Sequence, residues 1–125
     1  MLKSSYPKAL THRNKGRYFE KVAIKYFLKK GYTLKDPNLY HKHIQIDALL
    51  YKKSEGWIVL EVKSLPHTEY DINYRVTLKQ ARRLNQFLQC LSQQVEEPVR
   101  AHLAVVSQNL DIELYEDFLC DLIEI

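Results

Sequence analysis

The stretch Ile44 to Ser64, IQIDALLYKKSEGWIVLEVKS, constrains the chain more than any other, because it sets three ionisable residues inside apolar strand sequence. HKHIQIDALLY and WIVLEVKS are rich in Ile, Val, Leu and aromatic residues, and the polar KKSEG between them ends in glycine. Two β-prone runs joined by such a segment read as an antiparallel hairpin. With Lys52 to Gly56 as the loop, counting outward from Ser54 pairs Tyr51 with Trp57, Leu49 with Val59, Asp47 with Glu61, and Gln45 with Lys63. The two acids face each other across the hairpin. Directly opposed side chains lie roughly 5 Å apart, where like charges destabilise the pair.

Alternation along a strand sends Asp47, Glu61 and Lys63 to one face and Ile46, Ala48, Leu60 and Val62 to the other. A divalent cation held by the two acids would offset their repulsion. An internal salt bridge between Lys63 and one acid would do so in part. The tripeptide Glu-x-Lys by itself carries little information, since a chain of this composition contains about one by chance. Its weight comes from the aspartate in register on the preceding strand and from the apolar flanks.

A chain of 125 residues with 46% hydrophobic and 27% charged residues is expected to form one soluble domain, with residues 1–12 as a basic arm. No run approaches the roughly 18 apolar residues of a membrane span, and the start MLKSSYPKALTHR lacks the apolar core of a signal peptide. The expectation is therefore a cytoplasmic protein with no membrane partner. Cys90 and Cys120 both lie in apolar, helix-like sequence, as buried thiols rather than a disulfide. Charge is polarised: residues 1–43 hold eleven Lys or Arg against two acids, whereas residues 111–125 hold six acids and no base. A basic amino-terminal third suits a phosphate backbone, and it also suits a solvated face with no partner.

Helical periodicity runs from Arg13 to Lys30 through Phe19, Ala23 and Phe27, with Gly31 as the C-terminal cap. On a helical wheel Glu20 falls between Phe27 and Ile24, inside the apolar arc, where a carboxylate needs a partner. It either forms a salt bridge at the core edge or adds a third acid to Asp47 and Glu61. Tyr32 to Asp36 reads as a short first strand ended by Pro37 and Asn38. His41 and His43 would then alternate onto the Asp47 face of the next strand. Residues 65–74 read as a loop carrying Glu69 and Asp71. A second helix, Val76 to Val95, has an apolar face of Ala81, Leu84, Phe87, Leu88, Leu91 and Val95, with Gln80 inside that face and Lys79, Arg82 and Arg83 beside it. Arg100 to Ser107 reads as a buried strand that a helical crossover returns parallel to its neighbour. Asp111 to Ile125 reads as a carboxy-terminal helix, with a short strand over Ile112 to Tyr115 as the competing reading. There is no internal repeat, glycine-rich phosphate loop, zinc spacing or Ser/His/Asp arrangement. His67 and His102 carry no signal.

In this order, Gly16-Arg17-Tyr18-Phe19-Glu20, Gly31-Tyr32, Ile46-Asp47, Glu61-Val62-Lys63 and Lys79-Gln80 make the chain resemble the PD-(D/E)xK nuclease superfamily, in particular its Holliday junction resolvase-like branch with the small YraN-type bacterial proteins. The resemblance implies an α/β fold with a restriction-endonuclease-like α-β-β-β-α-β core, a mixed central sheet flanked by helices, to which the carboxy-terminal helix would be added. It further implies a metal-dependent DNA endonuclease acting on branched or structured DNA. Asp47 and Glu61 would be metal ligands, helped by the Val62 carbonyl. Glu20 would orient metal-bound water, Lys63 would assist catalysis, and Gln80 would be a helical auxiliary residue. Mg²⁺ would be the cofactor, with Mn²⁺ able to substitute, since both take hard oxygen ligands. DNA would be the partner, with no small-molecule cofactor and a possible homodimer. Arg13, Arg17, Lys79 and Arg83 would hold the DNA backbone. The family's proline before the aspartate is Ile46 here, its Gly-Glu-Ile-Asp reads Ile44-Gln45-Ile46-Asp47, and its arginine after the lysine is missing from Lys63-Ser64-Leu65. Two other classes fit the chain: a catalytically inactive nucleic-acid-binding module of this fold in a larger complex, and an interaction domain that docks through its acidic carboxy terminus.

Overall fold

In a computed structural model, residues 12–64 and 76–120 are described, with side chains in the first helix from Arg17 onward. Residues 1–11 of the expected basic arm, the 65–74 loop with His67, and the last five residues lie outside them, and His12, expected to end the arm, begins the first helix. The chain runs α1 (His12–Lys29), β1 (Thr33–His41), β2 (Ile44–Lys52), β3 (Gly56–Ser64), α2 (Leu78–Ser92), β4 (Val99–Val106) and β5 (Ile112–Tyr115). The strands form one mixed sheet in the order β1-β2-β3-β4-β5, with β4 parallel to β3 and the other neighbours antiparallel. The protein is an α/β domain with the expected α-β-β-β-α-β order and one further strand.

Each helix covers its own face of the sheet. Phe19, Ala23 and Phe27 recur every four residues on α1 and pack on Ala48, Leu50, Ile58, Leu60, Val62, Ala104 and Val106. Ala81, Leu84 and Phe87 of α2 pack on Ile44, Ile46, Leu49, Val59, Leu103 and Val105. Fully buried side chains such as Ile58, Leu60 and Leu84 each contribute about 1.5–3 kcal/mol of hydrophobic free energy. α1 ends as its sequence requires: Gly31 has φ of 95°, Tyr32 N–H bonds Phe27 C=O at 3.1 Å, and Gly31 N–H bonds Leu28 C=O at 3.1 Å. That is a Schellman cap. Thr77 caps α2, its hydroxyl accepting from Gln80 N–H at 3.1 Å. α2 is shorter than its periodicity predicts, and Leu88 and Leu91 lie at its edge only partly buried.

The hairpin register is the predicted one: Leu49 pairs with Val59, Tyr51 with Trp57, and Lys52 with Gly56. Gly56 is obligatory there, since its φ is 92° and a Cβ would come within 2.3 Å of the Pro98 carbonyl oxygen.

Five expectations are corrected. β1 runs through Pro37 and Asn38 instead of stopping there, pairing Pro37 with Ala48 and Leu39 with Ile46. Proline is tolerated because β1 is an edge strand, where a missing N–H costs no ladder bond. His41 consequently closes β1 and His43 sits in a two-residue turn, so the two do not alternate along one strand. Ile46 joins the α2 layer, not the face of Ala48, Leu60 and Val62, because both strands of the β1–β2 hairpin change facing between Leu34/Leu50 and Leu39/Ile46. A bulge in β1 between Leu34 and Asp36 and a left-handed Asn38, φ 53°, across from Asp47 accompany the change. At the carboxy end the competing reading holds: Ile112–Tyr115 is β5, paired with β4 through a turn in which Ser107 N–H bonds Asp111 C=O at 2.9 Å. Pairing to the edge of β4 satisfies backbone groups that a helix there would leave β4 without. Helical geometry begins only at Leu119, so the remainder of the expected helix lies outside the described residues. Phe118 and Leu119 are buried while Cys120 is exposed, and Cys90, on α2, is half-buried, against the expectation of two buried thiols.

Candidate functional site

Backbone pairing between β2 and β3 reaches Ala48–Leu60, one position short of Asp47 and Glu61. There a side chain takes over from the ladder: Val62 N–H donates to Asp47 Oδ2 at 2.8 Å. Asp47 is 9% exposed and Glu61 4%. The change of facing in β2 and the side-chain bond to β3 together turn two strand residues into a pair of buried acids where β2 and β3 part.

The two carboxyls lie close enough for each to perturb the other's ionisation. Burial holds both above the usual carboxylate range, Glu61 up to about 8, where the neighbouring Asp47 adds to the effect. Lys63 opposes the rise. Its Nζ lies 3.0 Å from Glu61 Oε2, so the internal salt bridge allowed by the strand pattern exists. It neutralises one acid of the pair. From the α2 layer, Gln80 Nε2 donates to the same Glu61 Oε2, fixing the Glu61 side chain between a strand cation and a helix amide.

Glu20 approaches from α1, half-buried, and is pushed up to about 7 by burial first and then by the Asp47 charge, with Arg17 one helical turn earlier pulling it down. The structure therefore brings Glu20, Asp47, Glu61, Lys63, Val62 and Gln80 together from four elements. Lys79 and Arg83 are exposed on α2 and line a groove beside Gln80, and Arg17 is exposed on α1. The Arg13 side chain lies outside the described residues, as do Glu69 and Asp71. Among the described residues no group of three His, Cys, Asp or Glu side chains is placed to hold a metal ion. No family model matches this chain. Curated proteins searched by sequence gave no match either.

The donor set nonetheless fits Mg²⁺ or Mn²⁺. Mg²⁺ is usually held by one or two carboxylates with retained waters, not by a closed protein cage, and Asp47 and Glu61 are two hard oxygen donors buried beside one another on adjacent strands. Tyr40 and Thr77, which line the groove with Gln45, do not stand out in the sequence, and Gln45 reads there only as the cross-strand partner of Lys63 and a departure from the family pattern. The signal for Tyr40 was the two-residue turn, which Lys42-His43 disguises, because such turns ordinarily carry Asn-Gly; that for Thr77 was its place as a helix N-cap.

His102, for which the sequence gave no hint, is a buried residue midway along β4, in register with Leu60 and beside Phe27 of α1. Its Nδ1 accepts from Asp117 N–H at 3.1 Å, and burial lowers its pKa. Among the described residues no helix is long and apolar enough to cross a membrane.

Proposed function

We propose that the protein is a metal-dependent DNA endonuclease of the PD-(D/E)xK type, acting on branched or structured DNA, with a restriction-endonuclease-like core. The observation that carries the reading is the Asp47–Glu61 pair: two buried acids on adjacent strands, both held above the usual carboxylate range, with Lys63 two residues along and Gln80 reaching Glu61 from α2.

Asp47 and Glu61 would hold the ion, with the Val62 carbonyl beside them. A bound Mg²⁺ or Mn²⁺ supplies charge neutralisation at the phosphoryl oxygens and acidification of water. Glu20 is poised near neutrality and accepts the proton of the attacking water, as a general base works best with a pKa near the working pH. Lys63 stabilises charge developing on the phosphate. Gln80 holds the Glu61 carboxylate in one orientation. Arg13, Arg17, Lys79 and Arg83 bind the backbone without reading bases.

A second reading, a nucleic-acid-binding module of the same fold without cleavage, is favoured by the Lys63–Glu61 ion pair, which offsets part of the repulsion with no cation bound. One experiment separates them. Wild-type protein and Asp47→Ala are incubated with linear, flapped and four-way DNA, with Mg²⁺ and with chelator. Mg²⁺-dependent cleavage by the wild type, lost in Asp47→Ala while salt-sensitive binding persists, supports the nuclease. Binding without cleavage on every substrate supports the module.

A further inference from the structure

Gln80, whose amide reaches Glu61, also lines an open groove of about 420 Å³ between the start of α2 and the β1–β2 hairpin. Lys79 and Arg83 enter from α2, and Tyr40, His43 and Gln45 from the hairpin. None of the described residues lining it is acidic. Tyr40 is 69% exposed, the most exposed of the large hydrophobic side chains among the described residues. The turn that presents His43 is strained: Lys42 and His43 both have left-handed backbone, φ 48° and 68°. Glycine or asparagine would adopt these angles with less cost, and strain kept in a turn points to side chains that are needed there.

We propose that this groove holds one unpaired DNA nucleotide next to the phosphate handled by Asp47 and Glu61, with its phosphate on Lys79, Arg83 and His43 and its base stacked on Tyr40. The inference rests on the nuclease reading and names its substrate: DNA in which a duplex gives way to a single strand. Basic side chains alone would suit any duplex, since backbone contacts need no aromatic platform. An exposed ring beside them gains only from a base whose face is free, which duplex stacking denies, and the volume is that of a small-ligand pocket and not of a flat duplex track. The Gln45 amide at the rim has both donor and acceptor groups for a base edge.

The test measures fluorescence anisotropy of the full chain in chelator, on a blunt duplex and on the same duplex with a single-stranded tail. Wild type is expected to bind the tailed duplex more tightly. Tyr40→Ala and Tyr40→Leu should weaken tailed-duplex binding by about ten-fold or more and leave the blunt duplex unchanged, while Tyr40→Phe retains wild-type affinity. His43→Gly should melt at a higher temperature yet bind the tailed duplex less well, a combination that a purely structural turn residue does not give. Equal affinity for both DNAs, or equal losses on both in Tyr40→Ala, would overturn the groove assignment. Cleavage without the Tyr40-dependent preference removes the groove and keeps the nuclease. Tyr40-dependent preference without any cleavage removes the nuclease and keeps the groove.

Discussion

The two ends of the β2–β3 hairpin treat a glutamate in opposite ways. At the loop end, Glu97 accepts from Tyr51 Oη at 3.1 Å and Trp57 Nε1 at 3.4 Å, and hydrogen bonds from its own backbone N–H and those two side chains hold its pKa below the usual value. The Tyr51 and Trp57 rings pack against each other at 4.7 Å, and Trp57 N–H bonds Pro98 C=O at 2.8 Å. Every group there has a complementary partner, and the result is a clasp between the hairpin and the segment leading into β4. At the open end, Glu61 meets another carboxyl and is driven up to about 8. One end is arranged for stability with its charges as they stand. The other becomes comfortable only when a proton or a cation is added, which is the property expected of a site that binds one.

The contrast can be broken most sharply with Glu61→Gln, which should change activity and stability in opposite directions. Losing a ligand removes several kcal/mol of charge stabilisation in the transition state, so Mg²⁺-dependent cleavage should fall on the order of 10³-fold. Stability has the reverse sign. Glu20, Asp47 and Glu61 all have folded-state pKa values raised above their unfolded ones. The folded state therefore binds more protons than the unfolded state, and stability is greatest below the unfolded carboxylate range and declines as pH rises toward about 8. In chelator, the wild-type melting temperature should drop between pH 5 and pH 8, and Mg²⁺ should restore part of the loss. Glu61→Gln should flatten that profile and melt above wild type at pH 8. A variant that melts lower at pH 8 would show that the acidic end is a structural ion pair.

At the loop end, Gly56→Ala forces a Cβ against the Pro98 carbonyl in left-handed backbone and should cost about 3 kcal/mol by denaturant titration. Cleavage per folded molecule should stay near wild type, because the change lies at the far end of β3 from Glu61. Gln80→Ala removes the amide that orients Glu61 and should slow cleavage by about 10- to 100-fold with little change in melting temperature. The smallest effect is expected for Glu97→Gln, which weakens the clasp: a drop of a few degrees in melting temperature and unchanged cleavage kinetics. A cleavage defect there would mean that the two ends are coupled.

Much of this arrangement was legible in the sequence because local chemistry governed it. The hairpin register followed from counting outward from Ser54, and the end of α1 followed from Gly31. Glu20 and Gln80 were found as polar residues inside apolar helical faces. Less legible were features set by partners distant in sequence. Pro37 reads as a breaker unless its strand is known to be at the sheet edge, and only the order β1-β2-β3-β4-β5 reveals that. Alternation misassigned Ile46 because it presumes regular pairing on both sides, whereas β2 leaves β3 at Asp47 while continuing along β1. Ile112 to Tyr115 fits helical and strand periods alike, and the open edge of β4 decided between them. The Lys42-His43 turn carries none of the glycine or asparagine that announces left-handed backbone, so Tyr40 was not associated with Lys79 and Arg83.

The central claim is that Asp47 and Glu61 hold a divalent cation together, and anomalous diffraction from crystals soaked in Mn²⁺ tests it most directly. The account predicts a peak within coordination distance of both carboxylates, with Lys63 Nζ displaced from Glu61 Oε2 or retained on its far side. Carboxylates pointing apart, or no peak between them at saturating Mn²⁺, would contradict it.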